Sequence, residues 1–283
     1  MSAPAVTFVI PIRHPAGVKD PALQRAVLAQ TLRSIAAQSS RDWRLRIVCN
    51  PEQVLPELPA RTERVHVDLP PNRAMEVATD RTEMVDALNF DKGSRVLAGV
   101  RDLDPGDRFM VVDDDDFISR RLTAWLAAQD PARGFYVEKG WSWVPGKPAL
   151  RKLDAFHRCC GSCLSAPFGL WRASREPDDP DAIREIGCHW ILPDRVAGTA
   201  EALAPVPFRA AVYRMANVNS MERHFERVGD SRAFMRKARQ TRGRLTTKLR
   251  NAVRHYAEFR PADPLACREF FGGLLPPPAI RAD

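Results

Sequence analysis

Four consecutive carboxylates, Asp113-Asp114-Asp115-Asp116, follow directly on the apolar run Phe109-Met110-Val111-Val112, and the apolar pair Phe117-Ile118 comes next. Like charges this close repel one another, so a chain tolerates them behind a buried strand mainly when a cation or solvent compensates. Hard divalent cations such as Mg²⁺ or Mn²⁺ favour carboxylate oxygens and bridge to the phosphates of nucleotides. In a parallel α/β sheet the ligand sits beyond the carboxyl ends of the strands, where these acids would fall. A solvated acidic turn is the plain alternative. The Phe-Met-Val-Val strand in front of the acids favours a metal–nucleotide site.

The surrounding text predicts an α/β layer pattern. Residues 6–12 form an apolar run suited to a buried first strand. Residues 23–38 place Leu23, Ala26, Val27, Leu28, Leu32, Ile35 and Ala36 at helical spacing. Residues 43–49 and 64–69 read as strands and 82–103 as a helix, and Pro105-Gly106-Asp107 marks a turn before the acidic strand. Right-handed crossovers would make the core of such a sheet parallel. Further on, a short helix is expected at 122–129, strand at 134–144, a helix within 178–197 broken or begun near Pro193, and a strand at 205–215. Residues 221–259 read as helical and strongly basic.

The chain has 283 residues, 45% of them hydrophobic, enough for a substantial core. No apolar run approaches the roughly 20 residues that span a bilayer. The first residues, Met1-Ser2-Ala3-Pro4, lack a basic leader region, and six scattered cysteines suit a reduced setting, so a cytoplasmic protein is expected. The formal net charge of +8 suggests phosphorylated ligands, an anionic membrane surface or nucleic acid, without choosing among them.

Four features in this order carry a family resemblance: a strand containing Pro11, a helix ending Leu32-Arg33-Ser34-Ile35-Ala36-Ala37-Gln38-Ser39, a strand from Leu45 to Cys49, and Val111-Val112 before the four acids. The chain resembles the bacterial family 2 glycosyltransferases of the GT-A fold over residues 6 to about 125. That resemblance implies a mixed, mostly parallel Rossmann-like sheet flanked by helices over residues 1–219. The donor half would be about 1–118, the acceptor half about 119–219, and a basic helical extension would occupy 220–283. It also implies a nucleotide-sugar donor, a uridine diphosphate sugar first among them, held with Mn²⁺ or Mg²⁺. Asp113 would contact the donor ribose or the metal, Asp115 would ligate the metal, and Asp116, just behind it, would be the third acid at the metal. Asp114 fills the variable position. Pro11 and Arg13 would lie at the donor edge, and Gly161-Ser162 would form a tight loop near donor and acceptor.

Departures from the family text matter. Many relatives end the second strand in Asp-Asp-Gly-Ser, whose acid recognises the donor base, whereas here the text is Val48-Cys49-Asn50-Pro51. Asn50 can hydrogen-bond a base edge but carries no charge. Asp91, Lys92 and Arg95 occupy the helix where relatives often place a basic residue near the phosphates, and an exposed helix start is the alternative. Relatives carry Glu-Asp-x-x-Leu-x-x-Arg with the Asp as base; the best match, Cys188-His189-Trp190-Ile191-Leu192-Pro193-Asp194-Arg195, puts His189 in its place. A histidine can serve as a general base. Asp179, Asp181 and Glu185 are the reserve candidates. Cys159-Cys160-Gly161-Ser162-Cys163 with Cys188-His189 could suggest zinc, but buried thiols are the preferred reading. Trp141 and Trp143 could form an acceptor platform or a packed strand face.

The expected function is therefore a metal-dependent, inverting transfer of a sugar to a glycan or lipid-linked acceptor. The basic C-terminus could make peripheral contact with the inner membrane, and no nucleic-acid partner is expected. A nucleotidyltransferase acting on sugar phosphates is one alternative. Its Gly-rich signature is lacking at Arg13-His14-Pro15-Ala16-Gly17. A non-catalytic binder of anionic surfaces or nucleic acid is the other, and it would not need the four acids.

Overall fold

A computed structural model describes residues 4–215, 259–273 and 275–277. Strand β1 (Val6–Pro11) is β-branched and apolar, and its first five residues are buried. Helix α1 (Pro21–Ala36) begins where Asp20 accepts a hydrogen bond from the Leu23 N–H at 2.8 Å, with Pro21 pre-set in the first turn. Strands β2 (Trp43–Cys49) and β3 (Thr62–His66) follow. A single turn, α2 (Ala74–Val77), precedes α3 (Arg81–Val100), which Asp80 caps through the Glu83 N–H at 2.9 Å. Strand β4 (Arg108–Val111) then delivers the chain to the acids.

Beyond the acids come β5 (Phe117–Ile118), α4 (Leu122–Ala127), β6 (Phe135–Tyr136), β7 (Gly140–Trp143), β8 (Ala149–Leu153) and β9 (Leu164–Pro167). They are followed by α5 (Pro180–Gly187), α6 (Ile191–Val196), β10 (Ala204–Pro205), β11 (Ala211–Arg214), β12 (Phe259–Pro261) and α7 (Pro264–Phe270). The main sheet has the order β10-β6-β9-β4-β1-β2-β3. Strands β4, β1, β2 and β3 run parallel, and β9 is antiparallel to both β4 and β6. The fold is thus a mixed α/β layer with a mostly parallel central sheet flanked by helices, as expected. From β1 the chain moves to β2 on one side, and β4 returns on the other. The crevice outside the carboxyl ends of β1 and β4 is therefore the topological switch point, where open α/β sheets bind ligands.

A second sheet, β12-β8-β7-β11-β5, stands beside the first. Strand β5 leaves the acids and pairs antiparallel with β11, matching Phe117 with Val212. Residues 259–273 add β12 and α7 to this sheet. Ala266, Cys267 and Phe270 of α7 pack into a core with Phe117, Trp141, Trp143 and Leu150. The expected basic helical text over 221–258 lies outside the described residues. The helix expected within 178–197 is two helices, because Cys188 is extended between α5 and α6. No helix among the described residues is long and apolar enough to cross a membrane.

Candidate active site

The four acids take four different positions. Asp116 is fully buried. Its Oδ2 accepts from the Ser162 hydroxyl at 2.6 Å and the Cys160 thiol at 2.9 Å, and its Oδ1 accepts from the Arg214 N–H at 3.2 Å. Burial, with Asp115 and Asp113 nearby, pushes its pKa well above the carboxylate norm. Its oxygens are thus engaged inside the protein, which makes Asp116 a brace behind the motif rather than an open ligand. Asp114 turns toward α1, accepting from Gln24 Nε2 at 2.8 Å and, at its carbonyl, from Thr31 Oγ1 at 3.1 Å.

Asp113 and Asp115 are half-buried. Lys92, from α3, donates to Asp113 Oδ1 at 2.5 Å. Burial would lower the Lys92 pKa, but Asp113 outweighs it and holds the ammonium charged. Burial likewise acts against the Asp113 carboxylate, and Lys92 overcomes it, so that pKa lies below the usual value. The Asp113 N–H donates to Ser162 Oγ at 2.8 Å, so one hydroxyl joins the main chain of the first acid to the side chain of the last. Gly161 lies against the pair. A Cβ there would stand 2.5 Å from both Asp113 Oδ2 and Lys92 Nζ. The Gly161-Ser162 loop is therefore part of the acidic site, and any side chain at position 161 would push the Lys92–Asp113 pair aside.

Arg214 carries no family signature and was legible only as the end of a strand. It is buried, its Nε donates to the Asp115 carbonyl at 3.0 Å, and its guanidinium also bonds Gln30 Oε1. The guanidinium lies 4.8 Å from the Phe117 ring and 5.3 Å from that of Trp143. Burial lowers its pKa to about 10 despite the acids around it, and it stays charged at neutral pH. Arg214 fastens the acidic loop to the second sheet.

His189 is half-buried between α5 and α6, and its Nε2 is shielded from solvent with no hydrogen-bond partner among the described residues. Burial and the Lys92 ammonium pull its pKa to about 4, against the opposing influence of Asp113. The imidazole is consequently neutral at physiological pH. The reserve candidates are held by arginines. Asp179 caps α5 and accepts from Arg172 at 2.5 Å, and Asp181 pairs with Arg184 at 3.1 Å on the surface. Glu185 is buried and paired with Arg195 at 3.0 Å.

Asn50 is buried, with both ends of its amide occupied: Nδ2 donates to the Leu69 carbonyl at 2.8 Å and Oδ1 accepts from Arg95 at 2.9 Å. Arg95 is almost fully buried and pairs with Asp91 at 3.2 Å. This trio ties β2 to α3 and leaves Lys92 as the residue of the helix that reaches the acids. Pro11 and Arg13 flank the end of β1, and Arg13 contributes to the field at Asp113 and Asp114. Trp143 is buried against Phe117 and Phe271 and donates from its indole to the Lys147 carbonyl at 3.0 Å, so it offers no face to an acceptor. The Trp141 ring is covered by Arg209 at 4.8 Å. All six cysteines are free thiols, and no group of three His, Cys, Asp or Glu among the described residues is placed to hold a metal by itself. Were a Mg²⁺- or Mn²⁺-type ion bound here, Asp113 and Asp115 would be the carboxylates to hold it, since such ions take one or two protein carboxylates and complete their shell with phosphate and water.

No family model matches the chain, and no curated protein does. Among solved structures it is similar to TarS of S. aureus at 10% identity with a TM-score of 0.36, over 78% of this chain and 38% of that one. It is also similar to the apo form of the glycosyltransferase GlyE of Streptococcus pneumoniae TIGR4, at 10% identity with a TM-score of 0.31, over 70% and 44% of the two chains. The chain thus spans less than half the length of either protein, and similarity of this degree adds no weight to a chemical assignment.

Proposed function

We propose that the chain is a metal-dependent, inverting glycosyltransferase of GT-A type, acting on a nucleotide sugar. One observation carries the reading: the acids stand at the switch point beyond β1 and β4, with the Lys92 ammonium beside them. Ligand phosphates at such a crevice need positive charge, and a half-buried carboxylate paired with a lysine, with a second half-buried carboxylate two residues on, suits a cation shared with a diphosphate. Residues 1–118 would then form the donor half and 119–219 the acceptor half. The donor would be a uridine diphosphate sugar or a close relative. Asn50 would read its base only by giving up the bonds it now makes.

A divalent cation held by Asp113 and Asp115 would supply neutralisation of the diphosphate leaving group. The chain's own residues do the rest. Lys92 keeps Asp113 ionised and adds a positive charge for the phosphates. Ser162 and Arg214 hold the loop rigid, and Gly161 leaves room for the pair. His189, neutral and with an unpartnered Nε2, would take the proton of the acceptor hydroxyl once acceptor binding uncovers that nitrogen, because Asp179, Asp181 and Glu185 are each bound to arginine. The acceptor would be a glycan or lipid-linked chain.

The test is a screen of nucleotide sugars for Mn²⁺-dependent release of nucleoside diphosphate, with and without candidate acceptors. Turnover that disappears with chelator is the expected result. No turnover with any donor, together with salt-sensitive binding of nucleic acid, would point instead to an anion-binding protein.

A further inference from the structure

A cavity of about 530 Å³ opens between the second sheet and α7, in the size range of a small-ligand site. None of the four acids lines it, and the buried residues Phe117, Ile118 and Ser119 separate it from them along the chain. Arg120, Arg121, Arg209, Arg260 and Arg268 line it together with Trp141, and Glu269 is the one carboxylate among the lining residues. Three of the arginines have acidic partners: Arg121 with Glu269 at 2.8 Å, Arg209 with Asp154 at 2.5 Å, and Arg260 with Asp263 at 3.6 Å. Arg120 and Arg268 are exposed and have no carboxylate partner among the described residues.

The fold does not need those two charges, yet it positions one of them. The Arg120 N–H donates to the Glu269 carbonyl at 2.8 Å, and its own carbonyl accepts from the Ser39 N–H at 2.8 Å. The main chain is pinned from both sides while the guanidinium projects outward. Arg209 covers the Trp141 ring, so the aromatic face is not free to stack on a sugar or base, and recognition falls to the guanidinium groups. Planar guanidinium forks lining one cavity with surplus positive charge suit the oxygens of phosphate groups.

We propose that this cavity is a second anion site, apart from the acids, that takes a phosphate-bearing ligand. The phosphate could belong to a free phosphorylated molecule or to a phospholipid headgroup, and the two sources are separable by experiment.

Full-length protein with chelator present, so that no metal-dependent binding contributes, is titrated with inorganic pyrophosphate at low salt. It is also sedimented with phosphatidylcholine vesicles with and without phosphatidylglycerol. Wild type and Asp115→Asn should bind equally, and the double variant Arg120→Gln/Arg268→Gln should bind at least about tenfold more weakly, because two charge-assisted contacts are removed. Pyrophosphate binding without vesicle binding assigns a free phosphate, and phosphatidylglycerol-dependent sedimentation lost in the double variant assigns the headgroup. The double variant should melt no lower than wild type without ligand, since like charges are relieved, whereas a purely structural cluster would lose stability. Failure of wild type to bind either probe, equal binding in the double variant, or loss through Asp115→Asn alone would overturn the proposal. Because no divalent cation is present and the double variant leaves the acids and Lys92 intact, these results stand apart from the fate of the glycosyltransferase reading.

Discussion

At the residue scale the site depends on a few side chains whose neighbours leave no room for exchange. Gly161→Ala would drive a methyl into the Lys92–Asp113 pair, so the loop must shift or the pair must open. We expect Mn²⁺-dependent nucleotide affinity to fall by about tenfold or more while the far-UV circular dichroism is kept, since each charge-assisted contact contributes about 1.5–3 kcal/mol. Unchanged affinity would show that the loop yields without cost. His189 separates binding from chemistry. His189→Ala should lower kcat by roughly 10²–10⁴-fold with donor affinity nearly constant, as removal of a general base does. With its pKa near 4, the imidazole stays neutral well below pH 6.5, so the acid limb of kcat/KM should lie far below that value. A limb at about 6.5, or a rate loss confined to Asp179→Ala or Asp181→Ala, would move the base elsewhere. Glu185→Ala should instead unfold the protein more easily, by less than the roughly 3–5 kcal/mol of a fully buried pair, because Arg195 is partly exposed.

Helix α3 carries Lys92, and its place is set by backbone-to-backbone packing on α5. A Cβ at Gly93 would meet the Ile183 carbonyl oxygen at 1.8 Å, and one at Gly187 would meet that of Asn89 at 2.0 Å. Neither neighbour is a flexible side-chain end, so relief requires moving a helix. Gly93→Ala should therefore cost stability despite alanine's better helix propensity and should also displace Lys92 from Asp113. Urea unfolding and nucleotide titration of the same variant check both effects, and a gain in stability would contradict the packing. The elements that the sequence made legible are those with a strong local pattern. The buried runs at 6–11, 43–49 and 108–111 and the amphipathic stretches at 21–36 and 81–100 all lie within a few residues of expectation. Strands β8 and β9 and helix α7 were not, since β8 carries only one fully buried residue, Leu150, and β9 is a short piece held by long-range pairing. Of the site, the acids could be read from their run behind an apolar strand, and Lys92 only through the family resemblance. The bracing roles of Arg214, Cys160 and Ser162 could not, because they exist only through contacts across about 45 to 100 residues of chain.

Across the whole molecule, the buried ionisable groups make stability depend on pH in two opposing ways. His189 has a folded pKa below its unfolded value, so its contribution is present above about 6.5 and is lost as pH falls toward 4. Asp116 has a raised folded pKa, so its contribution is present below the unfolded value of 3.8 and is lost as pH rises through the folded value. Between roughly pH 4 and 6.5 the two oppose each other. Urea titrations in chelator at pH 4.5 and 7 should show stability falling more steeply with pH in His189→Ala than in wild type. A slope identical in both would remove the histidine from the account.

The central claim is that Asp115 and Asp113 hold a cation shared with a nucleoside diphosphate. Calorimetric titration of wild type and Asp115→Asn with UDP, GDP, ADP and CDP, in Mn²⁺ and in chelator, tests it most directly. At least one nucleotide should bind wild type only with Mn²⁺, and Asp115→Asn, still folded, should lose that binding by about a hundredfold or more, as removal of a charged metal ligand should. Equal Mn²⁺-dependent affinity in the two proteins, or binding indifferent to the metal, would contradict it.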